Sequence, residues 1–240
     1  SSTAYLTGMA AVKACEAMRE KIMEKGAEYL ERSVDEVDFD GSQVFSRDGS
    51  SAIRLKDIGN RVMCNNGKAL EVTTSHSSPV SPPPFMVGMA EVEVDTETGS
   101  VDVLDYVAVV DCGTPINPNL ARVQTEGGIA QGIGMALWED VQYTDKGKIR
   151  NNSFMQYKIP TRQDIGNIRV DFECSYEKSG PFGAKSIGEL VIDTPCPALA
   201  EAIYNATGVR LTELPMTPEK IAMEILKNRE SIRSGTKVEE

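Results

Sequence analysis

A proline-rich stretch divides this chain into two parts. Residues 77–85 (SSPVSPPPF) hold four of the twelve prolines in the 240 residues. Proline has no backbone N–H and a fixed φ, so this stretch cannot form a helix or the interior of a sheet. We therefore predict a first lobe at 1–76, a proline-rich loop at 77–84 and a second lobe at 85–230. The last residues, 231–240, are predicted to form a loose tail.

The pattern of apolar residues predicts an α+β fold made of antiparallel hairpins with helices packed on them. Asp40 and Gly41 form a turn signal inside a hairpin predicted at 34–47. The alternation of apolar and polar residues in 85–95 and 100–111 predicts a second hairpin. The other predicted elements are helices at 8–32, 54–64, 118–139, 195–206 and 218–228 and strands at 70–74 and 168–175.

The helix predicted at 118–139 is rich in glycine, with Gly127, Gly128, Gly132 and Gly134. Each glycine costs roughly 0.8–1.0 kcal/mol relative to alanine. Such a cost indicates that something approaches the helix backbone closely. Another helix packed tightly against it is one explanation, and a large planar or phosphorylated ligand is the other. The residues themselves leave both open.

A glycine-rich loop ends in an acidic residue. The sequence GPFGAKSIGE contains Gly180, Gly183 and Gly188, which allow unusual backbone conformations and the close approach of a ligand. Glu189 follows the last of these glycines and precedes the apolar run LVI. Burial beside apolar sequence would raise the pKa of this carboxylate, which could then act as a general base. The alternative is that Glu189 only accepts hydrogen bonds from its own turn.

The composition disfavours several classes of function. The formal net charge is −11, which opposes nonspecific binding to nucleic acid and to anionic membranes. The apolar runs are far shorter than the ~20 residues that span a bilayer. Five scattered cysteines without a CxxC pair indicate a reduced, cytoplasmic protein without a zinc or iron–sulfur site, and each is expected to be buried. The single histidine, His76, is interpreted as a loop residue, with a place beside a channel or a catalytic role left open.

Six segments occur in an order that is typical of one family. They are AEVEVDTETG (90–99), VVDCGTPINP (109–118), QTEGGIAQGIGMALWED (124–140), YKIPT (157–161), GAKSIGE (183–189) and ELPMTPEKI (213–221). This succession resembles the molybdenum-binding subunit of the xanthine dehydrogenase and aldehyde oxidase family, in the C-terminal half of that subunit. The resemblance extends over essentially the whole chain.

The resemblance implies a fold, a reaction and a catalytic base. The fold would be the second molybdopterin-binding domain of the family. In that family a molybdenum–pterin cofactor hydroxylates a carbon of an N-heterocycle or an aldehyde with oxygen derived from water. A glutamate in the glycine-rich loop removes the proton of a hydroxyl ligand on the molybdenum, and hydride passes to a sulfido ligand. By motif position this base is Glu189, and no residue of this chain would ligate the metal directly.

The resemblance also implies contacts to the cofactor. The family has a pterin-binding glutamine at the front of the glycine-rich helix, which is Gln124 here. Gln131 lies about two turns further along the same face, and an amide side chain can donate and accept hydrogen bonds together. The opening residues resemble a loop that binds pterin phosphate, so we expect the chain to begin inside a larger protein. The implied cofactor contacts are Gln124, Gln131, Gly188, Ser1, Ser2 and Thr3.

Other parts of the active site are expected outside this chain. In the family, further cofactor loops and the residues that orient the substrate lie in the N-terminal half of the molybdenum-binding subunit. Iron–sulfur clusters and FAD lie in partner domains or subunits. We expect these partners, a small heterocycle or aldehyde as substrate, and the cytosine dinucleotide form of the cofactor that bacterial members often use. The chain alone would be inactive; the alternative is a non-catalytic fragment or split subunit that completes a molybdopterin site only in an assembly.

Overall fold

The computed structural model describes residues 2–234. Within this range the chain divides into two units, each with its own hydrophobic core. The first unit holds Thr3–Ser81 together with Ser179–Pro181. The second unit holds Pro82–Lys178 and the residues from Phe182 onward.

In the first unit, helix α1 (Thr3–Leu30) packs on a small antiparallel sheet. A Cβ at Gly26 would lie 2.6 Å from the side chain of Val44, so glycine at this position lets the sheet approach the helix closely. The sheet has the order β1-β2-β3, and its strands are β1 (Val37–Phe39), β2 (Gln43–Ser46) and β3 (Ala52–Arg54), followed by helix α2 (Leu55–Asn66). The buried core contains Ile22, Ala27, Val37, Val44, Ile53, Ile58 and Val62.

The hairpin predicted around Asp40 and Gly41 is confirmed. The Asp40 carboxylate accepts hydrogen bonds of 2.8 Å from the backbone N–H groups of Ser42 and Gln43. These bonds lower the pKa of Asp40 to about 2, and the bond from Ser42 has the largest effect. Gly41 has a φ of +95°, a conformation that glycine adopts without steric cost.

Two predictions for the first unit are wrong. Helix α1 begins at Thr3 and not at residue 8, so Thr3 lies in a helix and not in a loop. The early start is stabilised by Tyr5, which is 3% exposed and hydrogen-bonded through its hydroxyl to the side chains of Ser78 and Ser179. Residues 70–74 form no strand. In this segment the carbonyl of Glu71 accepts a hydrogen bond from the Lys21 ammonium of α1 and not from a neighbouring strand.

In the second unit, a three-stranded sheet has the order β4-β5-β6, with β4 at Phe85–Val94, β5 at Val101–Asp111 and β6 at Asn167–Phe172. Strands β4 and β5 form the predicted antiparallel hairpin. Strand β6 pairs with β5 in parallel, a pairing that the sequence analysis did not assign. The connection from β5 to β6 is long and contains a helix, which allows the crossover that parallel pairing requires.

Four helices pack on or beside this sheet. Helix α3 (Pro118–Leu137) begins where predicted, and the Asn117 side chain accepts a 3.1 Å hydrogen bond from the N–H of Leu120. The others are α4 (Leu190–Asp193), α5 (Pro195–Thr207) and α6 (Pro218–Ser234). The most deeply buried members of the core, all below 2% exposed, are Tyr106, Ala108, Val110, Ile129, Ile133, Ala136, Leu199, Ile203, Met216 and Ile221.

The end of the described chain differs from the prediction. Helix α6 continues to Ser234, so the predicted loose tail is wrong for residues 231–234. Residues 235–240 lie outside the described residues, as does Ser1. Among residues 2–234 no helix is long and apolar enough to cross a membrane.

The cysteines are less buried than expected. All five are free thiols. Cys112 is buried directly after strand β5 in the second unit, but Cys15, Cys64 and Cys174 are exposed. The expectation of burial is wrong for these three: Cys15 and Cys64 lie on exposed sides of α1 and α2, and Cys174 lies in the loop after β6.

Candidate active site

A cavity of about 520 Å³ lies in the second unit, between helix α3 and the start of α4. Its polar lining comes from Gln124 and Gln131 on the helix and from Glu189. Its apolar lining includes Leu120 and Val123, which are 66% and 62% exposed. The cavity thus combines two amides and one carboxylate with an apolar wall.

One face of helix α3 forms the floor of the cavity. Gly127 and Gly128 each lie three or four residues from both Gln124 and Gln131, so the four residues share a face of the helix. The amide nitrogen of Gln124 lies 3.5 Å from the carbonyl oxygen of Gly188. This contact connects the helix to the loop that precedes Glu189.

Two different causes explain why helix α3 has glycine at these positions. A Cβ at Gly128 would overlap the side chain of Val191, and one at Gly132 would lie 2.7 Å from the side chain of Pro195. These two glycines let α4 and α5 pack tightly on α3. A Cβ at Gly127 would meet nothing within 4 Å, because that position faces the cavity. Tight packing therefore explains Gly128 and Gly132, whereas Gly127 leaves bare helix backbone beside open space.

Glu189 lies at the cavity but is not buried. It is exposed and occupies the N-cap position of helix α4, and its carbonyl accepts a 3.1 Å hydrogen bond from the N–H of Ile192. The expected burial of this carboxylate beside the LVI run is wrong. The run folds into helix α4, which turns Val191 inward against α3 and leaves Glu189 at the rim of the cavity.

The loop that leads to Glu189 is joined to the end of strand β5. Residues 112–114 pair with residues 183–185 through backbone hydrogen bonds of 2.7 and 2.8 Å, and we call this pairing the loop bridge. Gly183 within it has a φ of +88°, which a residue with a side chain rarely adopts. The loop bridge therefore depends on glycine at this position.

An ion pair that the sequence analysis missed lies beside the loop bridge. The Lys185 ammonium is 2.7 Å from the Asp111 carboxylate, and the two side chains are 10% and 20% exposed. The other Asp111 oxygen accepts bonds from the Ser175 hydroxyl over 2.6 Å and the Gly113 N–H over 2.9 Å. Burial is the largest effect on the pKa of Asp111 and raises it, but the bonds from Lys185, Ser175 and Gly113 together hold it below its usual range. The only sequence signal was that both charges fall inside motifs of the family, 74 positions apart.

Some predicted site residues do not line this cavity. Ser2 and Thr3 are not among its lining residues, and Ser1 lies outside the described residues. His76 belongs to the first unit. Both of its ring nitrogens are shielded from solvent and have no hydrogen-bond partner among the described residues.

The second unit is thus an α+β domain in which a glycine-rich helix borders a cavity lined by two amides and one carboxylate. The sequence pattern of the molybdopterin cofactor-binding domain family matches residues 1–166. The chain therefore belongs to that family.

Two curated relatives support this assignment. The chain is 36% identical over 226 residues to the Probable hypoxanthine oxidase XdhD of Escherichia coli strain K12, with 92% of this chain and 23% of that protein covered. It is 29% identical over 226 residues to the xanthine dehydrogenase molybdenum-binding subunit of Escherichia coli O157:H7, with 92% and 30% covered. The chain thus spans about a quarter of the length of these relatives.

A solved structure shows the same fold. The quinoline 2-oxidoreductase of Pseudomonas putida 86 superposes with a TM-score of 0.80 at 27% identity, covering 94% of this chain and 30% of that one. The α+β fold class is confirmed, and so is the resemblance to the molybdenum-binding subunits of the xanthine dehydrogenase and aldehyde oxidase family. These relatives are named as oxidases, dehydrogenases and oxidoreductases.

Proposed function

We propose that this chain is the base-bearing part of a molybdenum hydroxylase, which hydroxylates a carbon of an N-heterocycle or an aldehyde with oxygen derived from water. One observation carries the proposal: Gln124, Gln131, Gly188 and Glu189 line a single cavity. These four are the predicted base and the three predicted cofactor contacts that lie outside the opening segment. Their meeting in one place supports a shared site.

The residues around the cavity fit a pterin cofactor. Gln124 and Gln131 can each donate and accept hydrogen bonds, as the edge of a pterin or a phosphate ester requires. The open space at Gly127 allows a large group to lie against the helix backbone. The exposed side chains of Leu120 and Val123 offer an apolar surface to a flat ring. Gln124 and Gln131 would hold the cofactor, and the cytosine dinucleotide form remains our proposal for it.

This chain would contribute to the reaction the carboxylate of Glu189, which lies at the cavity. When bound, the molybdenum cofactor would supply the oxygen-transfer chemistry and accept the two electrons. Glu189 would take up a proton at its carboxylate during turnover. Its backbone is held at the start of α4 while its side chain reaches the rim of the cavity, so the base is positioned without being sealed from solvent. A placed general base contributes roughly 10²- to 10⁴-fold to a rate.

The names of the relatives favour a heterocyclic substrate. Hypoxanthine, xanthine and quinoline are aromatic N-heterocycles, and we propose this class first, with aldehydes second. We propose as partners an N-terminal molybdenum-binding half and iron–sulfur and FAD domains or subunits. Five free cysteines suit a reducing compartment, and we propose the cytoplasm.

The test is Glu189→Gln in the complete enzyme, with molybdenum content measured in each preparation. Glutamine keeps the size of the side chain but cannot take up the proton, so we expect turnover to fall by about 100-fold or more. Glu219→Gln is the matched control, since Glu219 is likewise an exposed glutamate at the start of a helix. A molybdenum-loaded Glu189→Gln enzyme that kept more than about a tenth of the wild-type turnover would show that Glu189 is not the base.

A further inference from the structure

The ion pair between Lys185 and Asp111 is shielded from solvent and held by further contacts. Its side chains are 10% and 20% exposed, so water and salt screen the attraction only weakly. Lys185 has two further partners, the carbonyl of Pro83 at 3.3 Å and the ring of Phe85, whose centroid lies 5.5 Å away. The Lys185 and Asp111 side chains therefore each have several contacts that fix their orientation.

The ion pair acts on the segment that ends at Glu189. Glu189 is four positions after Lys185, and a chain over that offset reaches at most roughly 14 Å. On the other side of Glu189, Val191 is 1% exposed and packs against Gly128. Glu189 is thus held between two fixed points, and the upstream point is Lys185.

The backbone alone gives this upstream point little support. The loop bridge consists of a few hydrogen bonds outside any regular sheet, and such segments open locally more easily than a core strand. The side chain of Lys185 lies directly beside the loop bridge and ties it to the last residue of β5. Neither Lys185 nor Asp111 lines the cavity, so neither is placed to touch a ligand there.

We infer that Lys185 and Asp111 are positioning residues, which hold the loop bridge closed and thereby set the place of the Glu189 carboxylate at the cavity. This inference rests on the proposed function of Glu189. A small displacement of a reacting group can lower a rate by about 100-fold without weakening binding. The ion pair would therefore affect turnover and leave substrate affinity nearly unchanged.

The test uses Lys185→Met in the complete enzyme, because methionine is a similar length and has no charge. We expect kcat to fall by about 10- to 100-fold while KM changes by less than about threefold. Backbone amides of residues 183–189 should exchange with deuterium faster, and molybdenum content should stay at the wild-type level. The pH profile of kcat should also change shape, since a displaced base no longer governs the reaction.

Asp111→Asn is the milder second variant. The amide oxygen of the new side chain can still accept hydrogen bonds from Ser175 and Gly113. This variant therefore tests the role of the ion pair if Lys185→Met does not fold. We expect the same faster exchange in 183–189 and a smaller fall in kcat. Arg169→Met is the matched control, since it breaks the ion pair with Asp105 on the same sheet but leaves the loop bridge intact. It should change neither the exchange of 183–189 nor kcat.

The outcomes separate this inference from the proposed function. Unchanged exchange of 183–189 in both variants overturns the inference, whatever Glu189 does. Faster exchange with wild-type kcat also overturns it, provided that Glu189→Gln is inactive in the same assay. If Glu189→Gln is itself active, the proposed function fails, and the exchange data alone then report whether the ion pair holds the loop bridge.

Discussion

The side-chain amide of Gln124 lies 3.5 Å from the carbonyl oxygen of Gly188, 64 residues later in the chain. This contact joins helix α3 to the last residue before Glu189. Because of it, a helix amide and a loop carboxylate border the same cavity. The candidate site therefore depends on the distance between α3 and the glycine-rich loop.

The first prediction concerns Gln124. Gln124→Ala should lower the molybdenum content of the complete enzyme severalfold, because it removes one of the two amides proposed to hold the cofactor and the contact to Gly188. Elemental analysis of the purified protein measures this. Gln163→Ala, in an exposed turn of the same unit, should keep the wild-type content. A Gln124→Ala enzyme with full molybdenum content would contradict the proposed contact.

The second prediction compares two adjacent glycines on α3. A Cβ at Gly128 would overlap the side chain of Val191, so Gly128→Ala should destabilise the protein by about 1–3 kcal/mol. Gly127→Ala meets nothing within 4 Å and gains helix propensity of up to ~1 kcal/mol. It should therefore keep or raise the unfolding temperature, yet lower the molybdenum content by narrowing the cavity.

Thermal unfolding and elemental analysis of both variants make this comparison. Each variant is the control for the other, since both add one methyl group to neighbouring positions of one helix. Equal losses of unfolding temperature would show that Gly127 is also packed against protein. An unchanged molybdenum content in Gly127→Ala would separate that position from the cofactor.

The third prediction is a pH dependence of stability from Asp111. Burial is the largest single effect on the pKa of Asp111 and raises it. The hydrogen bonds to Asp111 and the charge of Lys185 together lower it by more, so the pKa in the folded protein lies below its usual value. Such a group contributes stability above its unfolded pKa of about 3.9 and loses it as the pH falls through the folded pKa. Asp111→Asn should thus be less stable than the wild type near neutral pH, and the difference should shrink below about pH 4.

Urea unfolding at a series of pH values between about 7 and 3 measures this difference. Asp145→Asn, in an exposed turn, is the control and should follow the wild-type curve. A difference between Asp111→Asn and the wild type that stayed constant over the whole range would show that the ionised form of Asp111 contributes nothing.

Much of the fold follows from local signals. Asn117 and Pro118 predicted the start of α3, and Asp40 and Gly41 predicted the first hairpin; each signal acts between residues a few positions apart. Gln124, Gln131, Gly188 and Glu189 were also identifiable, because they fall inside family motifs. The apolar wall of the cavity was missed, although Leu120 and Val123 are apolar residues on the exposed side of a helix, which is a signal that could have revealed it.

The sequence by itself determined most of the helices and strands, the turn at Asp40 and Gly41, the cap of α3 and the family, since these depend on neighbouring residues and on ordered motifs. Only the tertiary structure decided the parallel pairing of β6, the early start of α1 at Tyr5, and the exposure of Glu189. It also decided the ion pair of Lys185 and Asp111, whose partners are 74 positions apart. The physical reason is the same in each case: these features result from contacts between distant segments, and their free energy appears only when the folded chain brings those segments together.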